Sequence, residues 1–183
     1  MAGPLPDNDL LPMKKRLKPE FSLAFENASE STGFLFWQLT NLWQRKMKES
    51  FDPLGLTHVQ FLLLNSLATL NKNEDKVVTQ MMLSVYSGCD KMMVSKVLRT
   101  LEEKKLVMRK DHHSDSRSKS LLLTPKGMQL LEQATIVFTE SEAEFFKPLK
   151  GKEKDVEKRM KKLLKQERKK GKDSEGNSES DEN

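Results

Sequence analysis

Between Val78 and Gly127 the order of residues leaves few folds open. Cys89 to Lys105 reads CDKMMVSKVLRTLEEKK, in which Val94, Val97, Leu98 and Leu101 recur at steps of three and four and so share one face of a helix. Met92, Lys96, Arg99 and Glu103 repeat on the opposite face and point away from whatever that first face packs on. Gly88 accepts the positive φ of a tight turn, and Asp90 is placed to cap the helix that follows it. Upstream, Thr79 caps a shorter helix over Gln80 to Tyr86, with Met82, Leu83 and Val85 available for packing. Two short helices about a glycine turn are the helix-turn-helix arrangement. Leu106–Lys110 and Ser118–Leu123 then read as two strands around the polar segment DHHSDSRS, and Thr124-Pro125 opens another helix. The fold class is therefore mainly α with a small β-hairpin wing, a winged helix-turn-helix.

The rest of the 183 residues supplies a frame for this unit. A helix is expected over about 29–51, where Leu35, Leu39 and Leu42 follow helical steps and Phe36, Trp37, Trp43 and Met47 widen the apolar surface beyond what one small core needs. Asp52, Pro53 and Gly55 break it. Thr57 with Gln60 forms a capping box, flanked by Leu56 and Phe61 as a hydrophobic staple, for a buried helix ending near Asn71. The helix opened by Thr124, with Leu123 stapled onto Met128, carries Leu131, Ala134, Phe138 and Phe145 as far as about Lys147. Pro148 and Gly151 end it. The last helix, over about Lys152 to Lys169, places Val156, Met160, Leu163 and Leu164 on one stripe among lysines.

Residues 1–20 mix prolines with the basic cluster Lys14, Lys15, Arg16 and Lys18 and read as a flexible arm. Residues 171–183 are acidic, Ser-rich and free of large apolar side chains, and are expected to be disordered. The domain lies between, at 21–170, with a reading part at about 54–123 and framing helices at about 29–51 and 124–169.

Composition narrows the function. A net charge of +5 favours a polyanionic partner. No apolar run reaches the roughly 20 residues of a bilayer span, and the proline-broken N-terminus lacks the apolar stretch of a secretory signal, so a cytoplasmic location is expected. The single cysteine, Cys89, allows no internal disulfide. His112, His113 and Asp115 chelate poorly together unless a turn intervenes, because adjacent residues on an extended strand point to opposite faces, and no other His or Cys cluster supports them, so no metal or other cofactor is expected. No nucleophile–base pair, paired carboxylates or glycine-rich phosphate loop points to an enzyme. For the outward helix face, an exposed Met92 beside Met93, Ser95, Lys96 and Arg99 fits a thymine methyl and neighbouring base edges in a major groove.

The stretches GFLFWQLTNLWQRKM, LGLTHVQFLLL, VVTQMML and DKMMVSKVLRTLEEKKLVMRKDHHSDSRSKSLLLTPKG, in this order, resemble the MarR family of bacterial and archaeal transcriptional regulators, over about Gly33 to Leu164. The resemblance implies a homodimer built by the N- and C-terminal helices, most often a repressor, on a roughly palindromic double-stranded operator. It also implies that Asp115 steadies Arg117 and that Arg117 enters the minor groove, where a narrow A·T-rich groove rewards a guanidinium. Lys91, Arg109, His113 and Lys119 complete the expected DNA-facing set. Members commonly hold a small aromatic or anionic effector, for which Trp37, Trp43 and His58 are candidate wall residues, with core packing the competing role for each. The family's oxidant-sensing cysteine lies near the first helix, and Cys89 does not match it. The competing function is a sequence-blind, architectural DNA-binding protein.

Overall fold

The computed structural model describes residues 31–72, 77–112 and 115–176, with side chains described outside 111–119 and 167–176. It divides into two compact units, Met1–Leu42 and Trp43–Asn183. The described part of the first unit is the opening of helix α1, Thr32–Phe51. Ser31 Oγ accepts the Phe34 amide there at 3.2 Å, and the Phe34 and Trp37 rings stack 5.6 Å apart. Leu35, Phe36, Trp37, Leu39 and Leu42 are all exposed.

The second unit begins at Trp43, and in it Met47 and Phe51 of α1 are fully buried. A short 3-10 turn, Asp52–Leu54, carries the proline, and Gly55 at φ 62° reverses the chain. Helix α2, His58–Leu70, starts on the expected capping box. Thr57 Oγ1 accepts the Gln60 amide at 3.2 Å while Gln60 Oε1 accepts the Thr57 amide at 3.1 Å. Leu56 and Phe61 on either side are buried. With Leu63, Leu64 and Leu67 this helix forms the centre of the core.

Helices α3, Gln80–Ser87, and α4, Lys91–Glu103, are capped by Thr79 and Asp90 and separated by Gly88 at φ 72°. Val94, Leu98 and Leu101 of α4 are fully buried, and Val97 packs partly against the same core. In α3 the buried positions are Leu83 and Ser84, whereas Met82 and Val85, expected to pack, are 36% and 71% exposed. An eight-residue helix offers the core one narrow face. Ser84 holds its place there by donating its hydroxyl to the Cys89 carbonyl at 2.7 Å across the turn.

Past α4 the chain closes with two backbone bonds, Leu106 N–H to Leu101 O and Lys105 N–H to Glu102 O, both 2.9 Å. This is a Schellman motif in which Lys105, at φ 59°, stands where glycine is usual. Strands β1, Val107–His112, and β2, Asp115–Leu123, pair antiparallel with Val107 opposite Leu123 and Arg109 opposite Leu121. Both strands run further into the polar segment than the sequence implies, and a register shift lies between Asp111 and His112. Val78 is fully buried beside the hairpin, where its carbonyl accepts the Leu121 amide at 2.9 Å.

Helix α5, Pro125–Phe146, is capped by Thr124, whose Oγ1 accepts the Gly127 amide at 3.0 Å. Leu123 packs against the core, but Met128 stays 44% exposed, so the staple expected between them leaves much of Met128 in water. A 3-10 turn, Lys147–Leu149, and two positive-φ residues, Lys150 and Gly151, lead to helix α6, Glu153–Gly176. The helix passes its expected end at Lys169 and takes in the first residues of the segment expected to be disordered. Met160, Leu163 and Leu164 of its apolar stripe are 38%, 64% and 58% exposed.

Candidate nucleic-acid interface

Burying Val94, Leu98 and Leu101 fixes what α4 shows to solvent. Lys91, Met92, Met93, Lys96 and Arg99 are exposed and Ser95 is half-buried. Met92 is 82% exposed, the highest value among the large exposed apolar residues described. Such a side chain stands in water only at a cost of unburied apolar area. Among the described residues no ion pair engages Lys91, Lys96 or Arg99. The face therefore offers cations held in no ion pair beside an apolar tip.

The start of α4 is held in place at two points. Asp90 Oδ1 accepts the Met93 amide at 2.8 Å, and Gln80 Nε2 from α3 donates to the Lys91 carbonyl at 3.3 Å. Its far end is clasped as well. Lys104 Nζ donates to Gly55 O at 2.7 Å and to Gln60 Oε1 at 3.4 Å, and Lys126 Nζ from α5 donates to Lys104 O at 3.1 Å. Cations at a helix C-terminus are favoured by the free carbonyls there. Lys104, Lys126 and Gln60 were not singled out from the sequence as part of this clasp, because a lysine after a helix carries no mark of its tertiary partner.

On the wing, Asp115, Arg117 and Lys119 lie on β2, whose backbone is described there. His113 lies outside the described residues. Arg109 on β1 is different, because its Nε donates to Glu102 Oε1 of α4 at 2.5 Å. Glu102 is a further residue that sequence reasoning missed.

Of the three candidate effector-wall residues, Trp43 and His58 lie in the second unit. Trp37 belongs to the first unit and is 60% exposed. Trp43 and His58 are brought together, edge to face at 6.0 Å, within a cluster of rings. Trp43 also meets Phe145 at 4.9 Å and Phe138 at 6.1 Å, and His58 stacks on Phe51 at 6.2 Å. Burial lowers the His58 pKa from its ordinary value, because the surrounding rings solvate an imidazolium poorly. Cys89 is half-buried at the turn. Among the described residues no group of His, Cys, Asp and Glu is arranged to hold a metal, and no helix is long and apolar enough to cross a membrane.

This architecture is shared with known proteins. Residues 52–139 match the family described as ArnR1-like, winged-helix domain. An uncharacterized HTH-type transcriptional regulator of Bacillus subtilis (strain 168), YdcH, is 37% identical over 127 residues, which cover 69% of this chain and 86% of that protein. Among solved structures, the S. aureus MepR–DNA complex superposes with a TM-score of 0.65 at 26% identity, covering 74% of this chain and 98% of MepR. A mutant MarR from E. coli complexed with operator DNA gives a TM-score of 0.65 at 26% identity, with coverages of 72% and 92%.

Proposed function

Since this chain belongs to the MarR family of winged helix-turn-helix transcriptional regulators, we propose that it is a homodimeric repressor, acting in the cytoplasm, that reads a pseudo-palindromic DNA operator. One observation carries the reading: Met92 stands 82% exposed on the face of α4 away from its buried stripe, on the same side as Lys91, Lys96 and Arg99, which no ion pair among the described residues engages. A thymine methyl is the natural partner of such a tip, with base edges and phosphates for the Lys, Ser and Arg groups around it. The DNA complexes of MepR and of the MarR mutant support the same partner.

In the proposed complex Lys91, Met92, Met93, Ser95, Lys96 and Arg99 face the major groove. Arg117, steadied by Asp115, enters the minor groove beside it, and His113 and Lys119 are further DNA-contacting residues of the wing. Two copies related by a two-fold axis would place their α4 helices about one DNA turn apart. The exposed apolar residues of α1 and α6 are the surfaces that pairing would cover. The reaction is binding, not turnover, and the family is one of regulators rather than enzymes.

Release by a small aromatic or anionic effector completes the proposal. Trp43 and His58, already side by side, are its candidate wall, with Trp37 a third candidate. An effector acts only if it binds the DNA-competent and DNA-incompetent states unequally.

Selection of binding sites from random duplex DNA tests the reading. A palindromic motif should be enriched, and Arg99→Ala and Arg117→Ala should each weaken binding to it by about 1–3 kcal/mol in a mobility-shift titration. Equal retention of all duplexes would replace a sequence reader by a sequence-blind architectural protein.

A further inference from the structure

Resting on the DNA-binding reading above, we infer that Arg109 is a positioning residue rather than a phosphate contact. It sets the wing against the recognition helix through Glu102, so that major-groove and minor-groove contacts are made together.

Strand parity gives the first argument. Residues opposite one another in an antiparallel pair share a face, and alternate residues along a strand share it too. Arg109 stands opposite Leu121, and Val107 opposite Leu123. Val107 and Leu121 are buried at 3% and 1%, and Leu123 packs on the core, so this face of the hairpin is the inner one. Met108, on the other face, is 47% exposed. Arg109 therefore leaves the hairpin on the side that meets α4.

The second argument is the bond itself. At 2.5 Å, from Nε to Oε1, the ion pair is a charge-assisted hydrogen bond, and its side chains are 38% and 28% exposed, the least exposed of the ion pairs described. Held on Glu102, the Arg109 charge is already neutralised, and a neutral pair displaces few counterions from DNA.

Its place supplies the third. Glu102 belongs to the last turn of α4, and its backbone carbonyl accepts the Lys105 amide of the Schellman turn. The hairpin base is held by the connection Lys104–Leu106, by core packing of Val107 and Leu121, and by backbone bonding of Leu121 to Val78. None of these is a side-chain bond to α4, and the Arg109–Glu102 bridge supplies one, tying β1 directly to the last turn of the recognition helix.

The two accounts differ in sign. Glu102 is an anion near the proposed DNA surface, so simple electrostatics has Glu102→Ala binding DNA more tightly. Positioning has it binding more weakly. Wild type, Glu102→Ala, Arg109→Ala and the double variant are titrated, at several salt concentrations, with the duplex selected by the wild type. The expected result is a loss of about tenfold in both single variants, no further loss in the double variant, and recovery in the exchanged pair Glu102→Arg with Arg109→Glu. The slope of log affinity against log salt should stay unchanged in Arg109→Ala, where a lost phosphate contact lowers it by about one. Arg117→Ala should also cost less in the Glu102→Ala background than in wild type, which a merely stabilising ion pair would not produce.

Tighter or unchanged binding by Glu102→Ala, a lowered salt slope in Arg109→Ala, or an undiminished Arg117→Ala penalty would each overturn the inference while leaving the DNA reading intact. If the wild type enriches no motif, the DNA reading itself fails and takes the inference with it.

Discussion

At Gly127 and at His58, single side chains decide more than their size suggests. A Cβ at Gly127 would stand 2.0 Å from the Leu106 carbonyl oxygen and 2.9 Å from its carbon, both of them backbone atoms. Alanine in a helix gains about 0.5–1 kcal/mol over glycine, but forcing atoms into packed backbone costs about 1–3 kcal/mol or more, so the clash wins. Gly127→Ala should lower the denaturant midpoint by the difference, most simply read by urea titration. His58 gives a pH signature. Its folded pKa is depressed by burial, so the unfolded chain takes up the proton first as pH falls. The stability contributed by the neutral ring is complete above the ordinary histidine pKa of about 6.5 and declines as pH drops below it toward the folded value. His58→Phe keeps a ring in the cluster and should flatten the dependence of melting temperature on pH in that acidic window. An unchanged profile would show that another group sets it.

At the scale of elements, the capped helix starts and the ends near Phe51, Asn71, Tyr86 and Lys147 follow from the sequence, whereas the last helix runs past Lys169 to Gly176. Thr57, Thr79, Asp90 and Thr124 cap as their spacing implies, because a capping side chain bonds amides only two or three residues away. Gly88 likewise marks its turn by the one conformation it alone adopts cheaply. Lys105 takes the same left-handed conformation after α4, yet no composition signal announces it, since the turn is stabilised by Leu106 settling into the core. The wing strands outran their apolar residues for a related reason. Backbone pairing carries a strand on after alternation of apolar side chains has stopped, so Asp115 to Arg117 join β2 ahead of the expected start at Ser118. The interface showed the same division: the exposed arc of α4 followed from periodicity, whereas the pairing of Arg109 with Glu102 needed the hairpin register. The capping box yields a prediction of its own scale. Thr57→Ala removes one acceptor from the start of α2 and should destabilise the fold by about 1 kcal/mol, measured by chemical denaturation.

For the whole molecule, the uneven distribution of apolar surface matters most. The second unit buries its own core around α2 and α4, yet Leu163 and Leu164 on α6, and Leu35, Phe36 and Leu39 on α1, remain in water. On the proposed pairing, Leu163→Glu with Leu164→Glu leaves an already exposed stripe chemically at ease in a single subunit but charges the seam. Sedimentation should then report the mass of one chain where the wild type reports two. Helix α6 runs from Glu153 to Gly176 with Leu163 and Leu164 exposed, and on the proposed pairing it draws its permanence from the partner copy rather than from its own chain. Dilution alone should therefore soften the protein: each tenfold thinning of the solution should bring the heat-unfolding midpoint down, whereas a self-sufficient subunit would melt at one temperature however few copies surrounded it.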